Sequence, residues 1–238
     1  MAVYVGCSGW FYFHWNERFY PNELPQNKWF KFYTEKFNTV ELNSTFYRFP
    51  KPSTAKAWVR QSPPNFIYTL KVNRMITHIK KFKNCRTLIK EFYAVGDVLK
   101  EKLGCFLFQL PPSLKFSKQK LNEIINQLDL DKKNVIEFRH PTWFTQEVYE
   151  KLKDHNIIFC CVSAPGLPEH VIKTADDIYI RFHGKEHWYW YNYTREELST
   201  FARKIKSLKP KNTWAYFNND SNAYAPWNAL DFRKLLEL

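Results

Sequence analysis

Strand-like and helix-like segments alternate along the whole chain, and this alternation restricts the fold more than any other feature. The predicted strands are short runs rich in β-branched and aromatic residues: Val3–Gly6, Thr39–Asn43, Phe66–Val72, Cys105–Leu110, Asn134–His140, Ile157–Val162, Ile178–His183 and Thr213–Asn218. The predicted helices are Gln26–Phe37, Ser53–Gln61, Thr87–Lys102, Ser117–Leu128, Thr145–His155, a short one within Pro168–Ala175, Thr194–Leu208 and Pro226–Leu236. Ser53, Ser117 and Thr194 are candidate N-caps, and Thr194 with Glu197 forms a capping-box pattern.

Strands separated by helices predict an α/β fold with a parallel sheet. Eight such units in a chain of 238 residues close naturally into a (β/α)8 TIM-type barrel. A doubly wound open sheet is the competing architecture, but no Gly-x-Gly-x-x-Gly follows the first strand. With neither an internal repeat nor a low-complexity linker, residues 1–238 are predicted to form a single domain.

The composition limits the class of protein. Hydrophobic residues at 45% and aromatic residues at 18% supply a core and argue against disorder. The five cysteines lack CxxC spacing, which predicts reduced, mostly buried thiols, and we expect a cytoplasmic protein without a signal peptide or a membrane span. The net charge of +13 favours contact with polyanions, but the lysines are scattered, which slightly favours a generally Lys-rich surface instead.

The stretch Asn134–His140 shows what alternation implies for this sheet. Side chains alternate between the two faces of a strand, so Ile136 and Phe138 share one face while Glu137 and Arg139 share the other. Charged side chains are rarely buried without a partner. The strand is therefore either half exposed, or it lines a polar cavity inside a sheet that helices cover. The other strands repeat the pattern, which favours the cavity.

These polar faces place a set of side chains near the carboxyl-terminal strand ends, where barrel enzymes hold their active sites. The set is Glu41, Asn43, Lys71, Gln109, Glu137, Arg139, Arg181, His183, Asn218 and Asp220. The carboxylates and cations can pair with one another and fill the barrel, or they can bind a ligand. Because an inert barrel interior is usually branched and apolar, the set favours a ligand site.

Chemical roles follow from residue type. Glu41, Glu137, His183 and Asp220 are predicted acids or bases, and Lys71, Arg139 and Arg181 suit a phosphate or carboxylate on the substrate. The remaining predicted substrate contacts are Asn43, Gln109, Asn218, Tyr47 and Trp10. A divalent metal on the four acid/base residues is chemically feasible, but no spacing demands one, so the cofactor stays open.

Aromatic residues follow three of the predicted strands and would rim the same mouth. They are Trp10, Phe11, Tyr12 and Trp15 after the first strand, Phe46 and Tyr47 after the second, and the run His187–Tyr193 after the seventh. Rings beside cations can stack on bases or sugars. They can equally form a hydrophobic lid over a deep pocket.

Six runs together resemble the domain-of-unknown-function 72 (YecE-like) family. They are Val5–Trp10, Val40–Tyr47, Gln109–Pro112, Glu137–Trp143, Arg181–Gly184 and Tyr216–Asp220. The resemblance implies a TIM-type barrel but no activity. Such a barrel is similar to those of the endonuclease IV and xylose isomerase group, which use divalent metals, yet this sequence lacks the dense His/Glu/Asp array that a three-zinc site needs. Cys7 and Asn222 depart from the family pattern.

Two functions are the main alternatives, and a third, a non-catalytic binding role, stays open. The first is an enzyme, a hydrolase or isomerase, that acts by acid/base chemistry on a small anionic sugar- or phosphate-bearing substrate at the carboxyl-terminal mouth. The second is a nucleic-acid-binding protein or nuclease that uses the basic surface and the rim aromatics. A ring of lysines at the mouth would favour nucleic acid, and an even spread would favour the small substrate. The sequence indicates no membrane partner and leaves the oligomeric state open.

Overall fold

The structure, a computed structural model that describes residues 1–237, contains eight parallel strands in a nearly closed barrel. The strands are β1 (Ala2–Cys7), β2 (Thr39–Leu42), β3 (Ile67–Lys71), β4 (Leu103–Gln109), β5 (Asn134–Glu137), β6 (Ile158–Ser163), β7 (Ile178–Phe182) and β8 (Asn212–Phe217). The helices are α1 (Trp29–Lys36), α2 (Ser44–Tyr47), α3 (Pro52–Gln61), α4 (Arg86–Asp97), α5 (Lys118–Ile125), α6 (Gln146–Asp154), α7 (Arg195–Ser207) and α8 (Tyr224–Glu237). The predicted barrel is confirmed.

Strand alternation separates two apolar regions. The outward faces of the strands, including Ile136, Phe138 and Phe182, pack with the helices in the main core. The inward faces form a second cluster inside the barrel: Cys105, Leu107, Val135, Ile158, Cys160, Val162, Tyr179, Trp214 and Tyr216. Glu137 of β5 and Arg181 of β7 lie on these same inward faces, so the alternation predicted for these two strands is confirmed.

Two local predictions are wrong. No helix occurs within Pro168–Ala175, because this segment runs along β6 and satisfies its polar groups there. The Thr174 hydroxyl donates to the Ile157 carbonyl at 2.6 Å and accepts from the Phe159 N–H at 2.8 Å. Ser53 caps nothing, because Pro52 already occupies the first turn of α3. The capping interactions of Ser117 and Thr194 are confirmed.

β1 and β2 lie at the two ends of the order of hydrogen-bonded strands, β1-β8-β7-β6-β5-β4-β3-β2, and a tyrosine bridges the seam between them. The Tyr33 hydroxyl accepts the N–H of Cys7 at 2.8 Å and donates to the carbonyl of Thr39 at 3.0 Å. Gly6 allows this close approach, because a Cβ there would lie 2.3 Å from the carbonyl oxygen of Thr39. One phenol thus satisfies a backbone donor and a backbone acceptor that a strand ladder would otherwise pair.

Removal of the Tyr33 hydroxyl should weaken the contact between β1 and β2. We expect Tyr33→Phe to lower the free energy of unfolding by about 1–3 kcal/mol, since a buried N–H and a buried C=O both lose their partner. Urea unfolding followed by circular dichroism would measure the change. Tyr47→Phe is the control, because Tyr47 is 71% exposed and should change stability by less than about 0.5 kcal/mol. Equal stability of the two variants would contradict a bridging role.

All five cysteines are free and buried, as predicted. The thiol of Cys7 lies beneath the mouth, and burial, together with the charge of Asp220, raises its pKa well above the ordinary value. None of the helices within residues 1–237 combines the length and apolarity that crossing a membrane requires.

Candidate functional site

Arg181 is the centre of a buried ion network inside the barrel. Its Nη1 lies 2.5 Å from Oε2 of Glu137, and its Nη2 lies 2.6 Å from Oε1 of Glu41. All three side chains are fully buried. Glu41 also accepts hydrogen bonds from the hydroxyls of Ser8 and Tyr179, at 2.7 and 2.5 Å. The guanidinium therefore directs Nη1 and Nη2 to protein carboxylates, while its buried Nε has no hydrogen-bond partner among residues 1–237, and no part of it is exposed to a ligand.

Glu137 connects Arg181 to Arg139, which lies closer to the mouth. It accepts from Nε of Arg139, whose Nη2 lies 2.9 Å from Nε2 of His183. Burial alone would raise the pKa of Glu137, but the charges of Arg139 and Arg181 outweigh burial and hold that pKa well below its usual range. Burial, followed by the same two arginines, lowers the pKa of His183 well below its usual value. Near pH 7 the carboxylate is therefore charged and the imidazole neutral.

The imidazole of His183 connects two predicted residues. Its Nε2 faces Arg139, and its Nδ1 lies 3.3 Å from the amide nitrogen of Asn218, just past β8. Because a neutral imidazole has one donor and one acceptor, only one ring nitrogen can accept an N–H; when Nε2 accepts from Arg139, Nδ1 carries the proton and cannot also accept from the amide of Asn218. His183 therefore orients the guanidinium of Arg139.

Arg139 lies on an aromatic face at the mouth. Its guanidinium carbon is 4.6 Å from the ring centroid of Trp188, and its side chain is 9% exposed. Nε and Nη2 face Glu137 and His183. Among residues 1–237, Nη1 has no hydrogen-bond acceptor, so this end of the fork is available to an anion.

Lys71, the last residue of β3, is the second cation at the mouth. Its side chain is nine-tenths buried, and its Nζ lies 4.4 Å from the ring centroid of Phe46. Within the part of the chain that the structure describes, Nζ makes neither a hydrogen bond nor an ion pair. Burial, followed by the charge of Arg181, lowers its pKa from 10.5 to about 7. An amine with this pKa is partly neutral at physiological pH.

The segment after β3 adds a residue that the sequence did not single out. Met75–Ile79 forms a π-helix, a rare turn that is frequent at functional sites. It places the His78 ring edge-on to Phe46, with centroids 4.9 Å apart. Burial, followed by the charge of Lys71, lowers the pKa of His78 to about 4. No periodicity encodes a π-helix, so only the presence of a histidine after a strand end could have drawn attention to it.

Asp220 lies apart from the Arg181 network. Its Oδ1 accepts from Nε1 of Trp15 at 2.5 Å, and its Oδ2 lies 3.2 Å from Nε2 of His14. Its carboxylate is therefore held by the loop after β1, rather than by Glu41 or Glu137. Burial raises its pKa, although Trp15 and His14 act in the opposite direction.

The other predicted contacts are dispersed. Asn43 donates to the carbonyl of Ser8 at 3.0 Å, and its buried Oδ1 has no partner among residues 1–237. Gln109 ends β4 beside Glu137 in register and is half-buried. Tyr47 is 71% exposed. Trp10 packs on Phe30 of α1, with centroids 4.8 Å apart.

The four residues considered for a metal do not converge. Glu137 and His183 are neighbours, Glu41 is separated from them by Arg181, and Asp220 faces His14. Across residues 1–237, no group of three or more His, Cys, Asp or Glu side chains is arranged to hold a metal ion.

The aromatic residues divide into two groups. Trp15 and Tyr193 are buried and belong to the core. Phe11, Phe13, Tyr47, Tyr189 and Trp190 have 43–71% of their surface exposed. The loops after β1, β2 and β7 therefore present apolar rings to solvent around the mouth, which leaves both stacking and lid functions open.

Comparison with known proteins links the whole chain to one family. The family model described as "Protein of unknown function DUF72" matches residues 4–238. UPF0759 protein YunF of Bacillus subtilis is 25% identical in an alignment of 272 positions, gaps included, that covers 99% of this chain and 95% of that protein. UPF0759 protein YecE of Escherichia coli K12 is 24% identical in an alignment of 212 positions that covers 77% of this chain and 75% of that protein.

Solved structures agree in fold. A DUF72 family protein from Thermotoga maritima has a TM-score of 0.91 and 32% identity, and the match covers 100% of both chains. A DUF72 family protein from Enterococcus faecalis has a TM-score of 0.84 at 21% identity, over 99% of this chain and 96% of that one. The second similarity concerns the fold alone.

Proposed function

The chain belongs to the DUF72 family, whose description names no activity, and from this premise we propose an enzyme that binds a small anionic substrate at the carboxyl-terminal mouth of its barrel. The substrate class is a sugar- or phosphate-bearing anion. Arg139 binds the anionic group, Lys71 is the second cationic residue at this mouth, and Asn43, Gln109 and Asn218 are further candidate contacts. The chemistry is acid/base catalysis or nucleophilic attack by groups that burial and neighbouring charges tune.

The observation that carries this proposal is the pair of incompletely satisfied cations at the mouth. Arg139 keeps Nη1 without an acceptor, and Lys71 has no counter-ion within residues 1–237. Arg181, by contrast, pairs with both Glu41 and Glu137, whereas Arg139 pairs with Glu137 through Nε alone. A buried donor or cation without a partner is costly, and an anionic ligand would supply the missing partner.

The acid and base roles that we propose differ from those predicted from the sequence. Glu41 and Glu137 are fully buried and bound to arginines, which supports a role in holding Arg181 and Arg139 in place. Lys71 has a pKa of about 7, near the optimum for a general base at neutral pH. Asp220, whose side chain is 15% exposed, remains a candidate acid at the rim.

Nucleic-acid binding is the second candidate, because exposed rings such as Tyr189 and Trp190 surround the mouth of a protein with a net charge of +13. Among residues 1–237, however, the lysines are not confined to the loops at the mouth, such as those that carry Lys80, Lys115 and Lys185. They are spread over α1, α3, α4, α5, α6, α7 and α8, and they also occur at the opposite end of the barrel. This even distribution favours the small anion.

Inorganic phosphate is the simplest probe of the site. At a 100-fold excess over Kd, we expect it to stabilise the wild-type protein by about 2.7 kcal/mol, measured as a rise in Tm. Arg139→Gln removes the fork and should weaken binding at least about tenfold by isothermal titration calorimetry.

Arg203→Gln is the matched control, because it removes the same charge from the exposed surface of α7. It should bind phosphate like the wild type. Equal losses in the two variants would mean that phosphate responds only to net charge. Binding of an oligonucleotide that falls steeply with salt, without phosphate binding, would favour the second candidate.

A further inference from the structure

We propose that Lys71 is a nucleophile that forms a Schiff base with a carbonyl group of the substrate. The inference rests on the proposed anion site and names its substrate class: an anionic aldehyde or ketone, such as a 2-oxo acid or a sugar phosphate with a free carbonyl. Arg139 binds the anionic group, and the amine of Lys71 attacks the carbonyl carbon.

Two lysines are buried within residues 1–237, Lys71 and Lys102, and a comparison of their contacts distinguishes a structural role from a chemical one. Lys102 is 5% exposed, and its Nζ donates to the carbonyl and hydroxyl of Ser62 and to the carbonyl of Pro63. These contacts replace lost hydration, as a structural role requires. Lys71 is 9% exposed, and among residues 1–237 its Nζ has no such acceptor. Its burial therefore serves something other than packing.

The surroundings keep the amine available. Burial and the neighbouring arginines bring the pKa of Lys71 to about 7, so about half of its amines are neutral at pH 7. An ordinary lysine is neutral in roughly one molecule in a few thousand at this pH. Desolvation beside another cation is an established way to activate a lysine nucleophile. Glu137 and Glu41 act in the opposite direction and raise the pKa of Lys71, but both carboxylates are bound to Arg181.

The reaction balances without an oxidant or reductant. The lone pair of Nζ forms a bond to the carbonyl carbon, and the C=O π electrons move to oxygen, which takes a proton and gives a carbinolamine. Loss of water then gives the iminium, so that amine, carbonyl and one proton become iminium and water. The face of Phe46, 4.4 Å from Nζ, can stabilise the resulting cation.

Reductive trapping on the full chain tests the proposal. The probes are pyruvate and glyceraldehyde 3-phosphate with sodium cyanoborohydride at pH 7, and lactate and glycerol 3-phosphate are the matched compounds without a reactive carbonyl. Intact mass should show one adduct per chain from the carbonyl probes alone, and peptide mapping should place it on Lys71. We expect Lys71 to be labelled at least about tenfold faster than any other lysine.

Three variants test whether the adduct forms specifically at Lys71 and depends on Arg139. Lys71→Met should lose the adduct, and Arg139→Gln should slow its formation at the same lysine. Lys90→Met, an exposed lysine of α4, should leave labelling unchanged. The rate of Lys71 acetylation by acetic anhydride should rise with an apparent pKa of about 7.

Two outcomes overturn the inference: labelling scattered over the lysines and unchanged in Lys71→Met, or acetylation of Lys71 that follows an ordinary lysine pKa. If neither carbonyl probe gives an adduct while phosphate still binds through Arg139, the Schiff base is rejected and the anion site stands. If phosphate binding also fails, the proposed function itself is rejected.

Discussion

Replacement of Arg181 by methionine is expected to lower the free energy of unfolding by about 3–5 kcal/mol at pH 7. Arg181 lies between Glu41 and Glu137, at 2.6 and 2.5 Å, and all three side chains are fully buried. Methionine fills a similar volume but leaves two carboxylates with less compensating charge. The cost comes mainly from those desolvated charges, rather than from a lost favourable contact. Chemical denaturation at several pH values would measure it.

The pH dependence identifies the cause. In the wild type, the depressed pKa of Glu137 contributes stability above the unfolded value of about 4.3, and this stability is lost as pH falls through the folded pKa. Without Arg181, that pKa rises, so the folded variant takes up protons at higher pH. The deficit of Arg181→Met should therefore shrink as pH falls from 7 toward about 5.

The matched control restores neutrality inside the barrel. Addition of Glu41→Gln to Arg181→Met should recover much of the lost stability, because Glu137 then remains paired with Arg139 and no other carboxylate of the network is left. If the single variant is as stable as the wild type at pH 7, the network does not have the energetic role that its geometry indicates.

Lys71→Met should have the opposite sign and raise the free energy of unfolding by about 2–4 kcal/mol at pH 7. The folded pKa of about 7, against 10.5 for an ordinary lysine, means that folding disfavours the ammonium form. Methionine removes this penalty and occupies similar space beside Phe46. A residue that lowers stability in this way is typical of a functional site.

The lowered pKa of Lys71 also determines the direction in which stability changes with pH. Between about pH 7 and 10.4 the unfolded chain binds the lysine proton and the folded chain does not, so wild-type stability from this group rises with pH. The advantage of Lys71→Met should therefore be largest near or below pH 7 and disappear toward pH 10. Lys102→Met is the contrast and should be destabilised, because Ser62 and Pro63 lose their donor. A destabilised Lys71→Met would contradict the prediction.

Strand alternation predicted which polar side chains face the inside of the barrel, because it is a property of the backbone. Once Ile136 and Phe138 face the helices, Glu137 must face the barrel axis, and the same holds for Arg181 beside Ile180. The alternation ends where the strand ends. Asp220 follows β8 in a loop, and its partners Trp15 and His14 come from another loop at the far end of the sequence.

The sequence could not show which of the charged side chains pair with one another. Lys71, Arg139 and Arg181 are equivalent cations when only their strand positions are known. Three-dimensional register decides that Arg181 lies between two carboxylates and that Lys71 faces Phe46. The missing helix in Pro168–Ala175 has a similar origin, since contacts with β6 override local preference.

The seam at Tyr33 also concerns the order in which the chain is synthesised. β1 leaves the ribosome first, yet the strand with which it shares a ladder, β8, is made last. A nascent chain that has reached β7 would present β1 as an open edge, which is a site for aggregation. The phenol of Tyr33 links β1 to β2, and both are complete by Leu42. The bridge thus joins β1 to a neighbour that is made early, whereas the ladder edge of β1 stays unpaired until β8, which begins at Asn212, has been made.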